Sequence, residues 1–91
     1  MTDTTLAQQL TDLFRASGAA HHKAFPDTDD VEWPLWYADY LHDPLKTLLN
    51  AKFTKSELVY LLVLVAKEQP LRAPGADWPT YYARFFIERY T

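Results

Sequence analysis

A ten-residue passage occurs twice in this chain, and that recurrence limits the folds open to it more than any other feature. Glu32-Trp33-Pro34-Leu35-Trp36-Tyr37-Ala38-Asp39-Tyr40-Leu41 returns as Asp77-Trp78-Pro79-Thr80-Tyr81-Tyr82-Ala83-Arg84-Phe85-Phe86. Trp, Pro, Tyr and Ala are identical at matching places, acid matches acid and aromatic matches aromatic. Trp33 and Trp78 lie 45 residues apart in a chain of 91. A repeat of that period points to two copies of one supersecondary unit.

A chain of this length makes one domain, residues 1–91, with repeat halves at about 5–50 and 54–91. A domain so small buries only about 60–65% of its unfolded surface, so it must pack well or associate. Apolar residues make up 48% and aromatic residues 15%, the composition of a globular protein. The net charge of −3, with nine basic residues scattered singly, argues against a nucleic-acid partner, which needs clustered Lys and Arg. No Cys is present, which removes disulfides and thiolate metal sites and fits a cytoplasmic protein. The N-terminus shows no basic segment followed by an apolar one, so no signal peptide is expected. The longest apolar run, Leu58 to Ala66, is too short for a bilayer, which needs about 20 residues. No membrane partner is expected.

Hydrophobic spacing predicts helices. Thr5-Leu6-Ala7-Gln8 has capping-box spacing. Leu6, Leu10, Leu13, Phe14, Ser17/His21 and Ala24/Phe25 then share one stripe. One helix from about 5 to 25 is expected, loosened at Gly18; the alternative is a break there and a short second helix. Pro26 to Glu32 has the composition of a turn. Pro34 suits a first helical turn, and Trp33 before it is pushed from helical geometry. Trp33, Trp36, Tyr37, Tyr40 and Leu41 follow the spacing of one buried face. Asp43-Pro44 is expected to break or bend this second helix and start a short segment, Leu45 to Leu49, ending near Asn50.

Thr54-Lys55-Ser56-Glu57 is a second capping box. The helix after it, to about Gln69, carries nine consecutive apolar residues covering every face, so burial on all sides is expected. A buried strand competes, because Val and Tyr favour strands, but the cap and the Lys67-Glu68-Gln69 tail favour helix. Pro70 to Asp77 reads as a loop. Pro79 then opens a last helix whose aromatic face is Trp78, Tyr81, Tyr82, Phe85 and Phe86.

The fold class is therefore all-α: a four-helix bundle of two helix–loop–(Trp-Pro)–helix units, the second helix broken near Pro44. Aligned on Thr5 and Thr54, the first unit has a connector four residues longer. A helix apolar all round is hard to hide in so small a bundle, so a homodimer covering part of it is expected.

Four constellations bear on chemistry. His21 continues the apolar stripe and His22 lies 100° around it. His21 reads either as a hydrogen-bonded core histidine or as a site histidine facing a pocket and oriented by an acidic-loop carboxylate. Asp39-x-x-His42 is half of a di-iron ligand set, but Arg84 and Ile87 stand at the matching places, so no metal is expected. The acids Asp27, Asp29, Asp30 and Glu32 lack the pattern of a calcium loop and read as stabilising a helix N-terminus. The fourteen aromatic residues read mainly as core. The functional alternative is a pocket lined by Trp33, Trp36 and Tyr37 with His21 and Glu32 as polar anchors. No nucleophile motif or zinc spacing occurs, and two glycines do not make a phosphate loop. No cofactor is expected.

Ala20-His21-His22-Lys23-Ala24-Phe25, an acidic spacer, and the passage from Glu32 to Leu41 resemble a group of small bacterial proteins of uncharacterised function. Their shared pattern is a His-His pair followed by Asp/Glu-Trp-Pro-x-Trp-Tyr-Ala. The resemblance covers residues 20–41. It implies a bacterial cytoplasmic origin and no particular activity, and it joins His21, His22, Trp33, Trp36 and Tyr37 into one unit. The second half has Ala66-Lys67 or nearby polar residues where the first has His-His, so any site is expected in the first half, with the second as scaffold. Two functions compete. One is a non-enzymatic module that self-associates or binds a protein partner. The other is a small-molecule binder, or an enzyme with His21 as general base, built on His21, His22, Glu32, Trp33, Trp36 and Tyr37.

Overall fold

The computed structural model describes residues 5–27 and 30–91. They form four helices: α1 (Leu6–Ala24), α2 (Trp33–Leu49), α3 (Lys55–Arg72) and α4 (Trp78–Tyr90), with no strand among them. The expected all-α four-helix bundle is what the chain adopts. Met1 to Thr4, Thr28 and Asp29 lie outside the described residues, so the N-terminal reading and part of the acidic loop are not addressed.

The first helix is continuous through Gly18. Thr5 caps it by accepting the Gln8 N–H at 3.1 Å. The reciprocal half of the expected capping box is absent, because the Gln8 side chain turns forward to Asp12. The second box is complete: Thr54 accepts from the Glu57 N–H at 3.0 Å, and the Thr54 N–H donates to Glu57 at 2.7 Å. Gly18 serves packing rather than termination. A Cβ placed on it would lie 2.7 Å from Cζ2 of Trp78. The glycine lets the indole of α4 lie directly on the α1 backbone.

The expected break near Pro44 does not occur. Helix α2 runs through Pro44 to Leu49. A proline inside a helix costs about 3 kcal/mol. The residues beyond it continue the buried stripe Ala38, Leu41, Leu45, Leu49, and each buried Leu returns about 1.5–3 kcal/mol. Packing thus outweighs the lost backbone bond. The helix ends where expected. Asn50 takes the left-handed conformation at φ 50° and its N–H bonds back to Lys46 and Thr47, a cap that Asn tolerates better than most residues.

Helix α3 likewise passes the expected end at Gln69 and continues through Pro70 to Arg72, shortening the second loop. The Gln69 side chain bonds the carbonyls of Ala73 and Ala76 at 2.9 and 3.2 Å. Tyr81 donates to Glu68 at 2.6 Å. These bonds pin the last turn of α3 to the loop and to α4.

The aromatic faces needed correction by one position. In α2, of the expected face, only Leu41 is fully buried; Tyr40 is 39% exposed and stacks on Trp36 at 5.5 Å. The small Ala38 points into the core and the large rings lie at the rim. Helix α4 repeats this arrangement: Ala83 and Phe86, at the places matching Ala38 and Leu41, are fully buried. Alanine at the contact line allows close helix approach.

The core joins all four helices through Leu10, Phe14, Leu41, Leu45, Leu58, Leu62 and Phe86 among others. Helix α1 packs on both α2 and α4, α2 also packs on α3, and the α3–α4 contact is slighter than these three. The second half is thus not a self-contained hairpin. Phe14 of α1 meets Trp78, Tyr82 and Phe86 of α4 at 5.6–6.4 Å between ring centres. The start of α4 is fastened by Asp77, which accepts from Thr80 and pairs with Arg15 of α1 at 2.9 Å. The Thr80 and Arg15 hydrogen bonds hold the Asp77 carboxyl below its ordinary pKa. On α3, Leu58, Leu61, Leu62 and Val65 are buried, but Tyr60 is 62% exposed. One chain therefore does not bury this helix on all sides.

Gly18→Ala provides the sharpest check on this packing. Alanine favours a helix by about 1 kcal/mol, while overpacking typically costs about 1–3 kcal/mol. Trp78 is hemmed in by Phe14, Tyr37 and Tyr82, so it yields poorly. The expected outcome in urea unfolding is a net loss of about 1 kcal/mol with altered Trp fluorescence. A stabilised variant would contradict the contact.

Candidate functional site

The loop between α1 and α2 places a carboxylate that the sequence did not single out from its acidic neighbours. Oδ1 of Asp30 accepts the backbone N–H of Glu32 at 3.1 Å, an Asx turn. The Asp30 carbonyl accepts the N–H of Trp33, also at 3.1 Å. The turn sets the start of α2 and directs the other carboxylate oxygen toward α1, where it meets Nε2 of His21 at 3.1 Å. The side chains of His21 and Asp30 are 19% and 12% exposed.

His21 is held by rings as well as by this bond. It stacks on Tyr37 at 4.8 Å and 27°, meets Trp36 edge-on at 5.0 Å, and touches Phe25 at 5.0 Å. It joins both features weighed from sequence: it is packed, and it borders a cavity with a loop carboxylate beside it.

That cavity is a half-open cleft of about 590 Å³. Every helix contributes: Phe14 and His21 from α1, Trp33 and Tyr37 from α2, Leu62 and Gln69 from α3, and Trp78 and Tyr82 from α4. Asp30 and Val31 complete it from the loop, Val31 standing 88% exposed. Trp33, Tyr37, Trp78 and Tyr82 form a chain of rings, each turned 71–83° to the next. Burial, with a smaller contribution from the Asp30 charge, raises the Tyr37 pKa. Burial and then Tyr37 push Tyr82 up to about 12. Both phenols are therefore neutral at physiological pH.

Of the six residues singled out by sequence, the structure brings His21, Trp33 and Tyr37 together on the cleft. Trp36 packs on His21 and Tyr40 and does not line it. His22 and Glu32 are exposed, and Asp30 occupies the anchoring place expected of Glu32. The second half supplies half the helical lining of the cleft, through Leu62, Gln69, Trp78 and Tyr82. The repeat itself was the signal for Trp78 and Tyr82; nothing in the local sequence marked Leu62 or Gln69.

The Asp39-x-x-His42 pair is drawn apart. Asp39 pairs with Lys55 at 2.9 Å. His42 Nε2 bonds the Phe53 carbonyl at 2.8 Å. A carbonyl only accepts, so Nε2 carries hydrogen, and His42 fastens the α2–α3 connector to the bundle. Among the described residues no group of His, Asp and Glu is arranged to hold a metal ion. None of the described helices is long and apolar enough to cross a membrane.

Chemically, the cleft offers one carboxylate, one imidazole, two phenols and a carboxamide within apolar walls. Among the described residues its lining includes no Ser, Thr, Cys or Lys to serve as nucleophile beside His21. Ser17, the nearest buried hydroxyl along α1, is committed to the Phe14 carbonyl at 2.7 Å. No protein-family model, no curated protein and no solved structure matches this chain.

Tyr82 gives the cleft a pH signature. A phenol whose folded pKa lies above the ordinary 10.0 contributes stability that is complete below that value and is lost as pH rises toward about 12. Tyr82→Phe should reduce the fall in stability across this alkaline window and leave neutral pH nearly unaffected. Urea midpoints measured from neutral to alkaline pH test this. Parallel curves for the two proteins would show that Tyr82 is not buried as described.

Proposed function

We propose that this chain is a small non-enzymatic binding module whose principal site is the four-helix cleft. One observation carries the reading. About 590 Å³ of concave, mostly aromatic surface surrounds a few convergent polar groups, the combination typical of small-molecule sites. With no Ser, Thr, Cys or Lys beside His21 among the described lining residues, the cleft suits capture of a ligand better than turnover. A bacterial cytoplasmic setting accompanies the proposal, on the strength of the resemblance in residues 20–41.

A neutral apolar fluorophore, N-phenyl-1-naphthylamine, provides the test. Its emission should rise saturably with one site per chain. Trp33→Ala, which removes a wall near the start of α2, should weaken binding at least fivefold with the fold intact by circular dichroism. No saturable binding, or equal binding by the variant, would refute the reading.

Self-association is the second reading, favoured by the outer face of α3. Tyr60 is 62% exposed within the apolar run Leu58 to Ala66, with Val63 and Leu64 half-buried nearby. A second copy would cover this face in a homodimer. Sedimentation at rising concentration should show a dimer that Tyr60→Glu converts to monomer. A wild-type monomer throughout would exclude it.

A further inference from the structure

We propose that the cleft selects a small organic cation, with a quaternary ammonium group as its best-matched head. This rests on the reading of the cleft as a ligand site and adds the chemistry of the ligand. Three independent features point to positive charge. The first is the walls: Trp33, Tyr37, Trp78 and Tyr82 are aromatic and partly exposed, with Phe14 fully buried behind them, and the electron-rich faces of such rings attract cations.

The second is their arrangement. Trp33 to Tyr37, Tyr37 to Trp78 and Trp78 to Tyr82 stand at 79°, 83° and 71°. At 5.9, 6.4 and 5.0 Å these are edge-to-face contacts that lock the rings to one another, so the wall is a rigid aromatic surface with its planes set in different directions. A hydrophobic core explains many aromatic residues, but it does not explain their gathering around an open space beside a carboxylate.

The third is charge. Among the described residues Asp30 is the carboxylate that lines the cleft, and none of the described Lys or Arg residues lines it. Arg15, on the same helix as His21, is committed to Asp77. The His21 bond needs only one hydrogen on Nε2, which the neutral ring can supply to Asp30. In that form the carboxylate keeps its charge. A methylated ammonium also suits a site with few hydrogen-bond acceptors, because it has no N–H to satisfy. The half-open cleft of about 590 Å³ falls within the range of small-molecule sites, and the proposal commits to a free solute.

Choline and its neutral isostere 3,3-dimethylbutan-1-ol have nearly the same shape and differ in charge. Isothermal titration of the full chain at fixed ionic strength should show choline binding at least tenfold more tightly. Asp30→Asn should erase most of that preference. Because that change could disturb the loop, Trp33→Leu is the companion variant: it keeps an apolar wall, removes the π face, and should also reduce the preference. Equal affinity for the two probes would overturn the cation assignment while leaving the cleft as a ligand site. So would binding of N-phenyl-1-naphthylamine without choline. Failure of all three probes would overturn the cleft reading as well. A trimethyllysine peptide that binds where choline does not would overturn the assignment to a free solute.

Discussion

The contact between Phe14 and the aromatic face of α4 is the constraint on which the other packing depends. It joins the first helix to the last, bringing together residues from opposite ends of the chain. Gly18 allows it, because no larger residue leaves room for the Trp78 ring at that distance. Once Trp78 is seated, its ring also reaches Tyr37 of α2 at 6.4 Å, so one indole connects three helices. The cleft forms as a result. Its wall stands where these rings meet and the core leucines do not fill the space between them.

The two copies of the Trp-Pro passage begin their helices by different physics. Asp77 has the shorter acidic side chain and caps α4 itself, bonding Thr80. Glu32 makes no such side-chain bond at the head of α2. There the task passes to Asp30, two residues earlier, which shapes the turn through its own backbone and carboxylate. That displacement lets the Asp30 carboxylate reach His21. The longer first connector gives the loop the length to do so. A difference in capping between otherwise similar units thus produces the polar end of the cleft.

Much of the fold was legible in the sequence because its signals are local. Thr5, Thr54, Pro34 and Pro79 mark helix starts through nearest-neighbour backbone chemistry, and Asn50 marks an end for the same reason. Pro44 and Pro70 misled for an instructive reason: their cost is local, while the compensation is tertiary. Leu45 and Leu49 in one case, and the Gln69 and Tyr81 bonds in the other, hold the helices beyond them. The aromatic faces were read too literally. Large rings signal burial by area, but the contact line belongs to Ala38 and Ala83, whose size allows helices to approach. At the site, His21, Trp33 and Tyr37 were identifiable from their grouping. Asp30 was not separable from Asp27, Asp29 and Glu32 without the direction of the turn. Leu62 and Gln69 reach the cleft only through the packing of α3, which periodicity does not specify.

Because the cleft draws lining from every helix, its occupancy and the folding of the chain are thermodynamically coupled. A ligand present at one hundred times its dissociation constant adds about 2.7 kcal/mol to the folded state. Small domains have only about 5–15 kcal/mol in total. The filled form would unfold less often and expose its backbone to proteases less often. Under the proposed reading, abundance would then follow ligand concentration without a dedicated regulator, so that the protein's persistence itself would report whether the ligand is present.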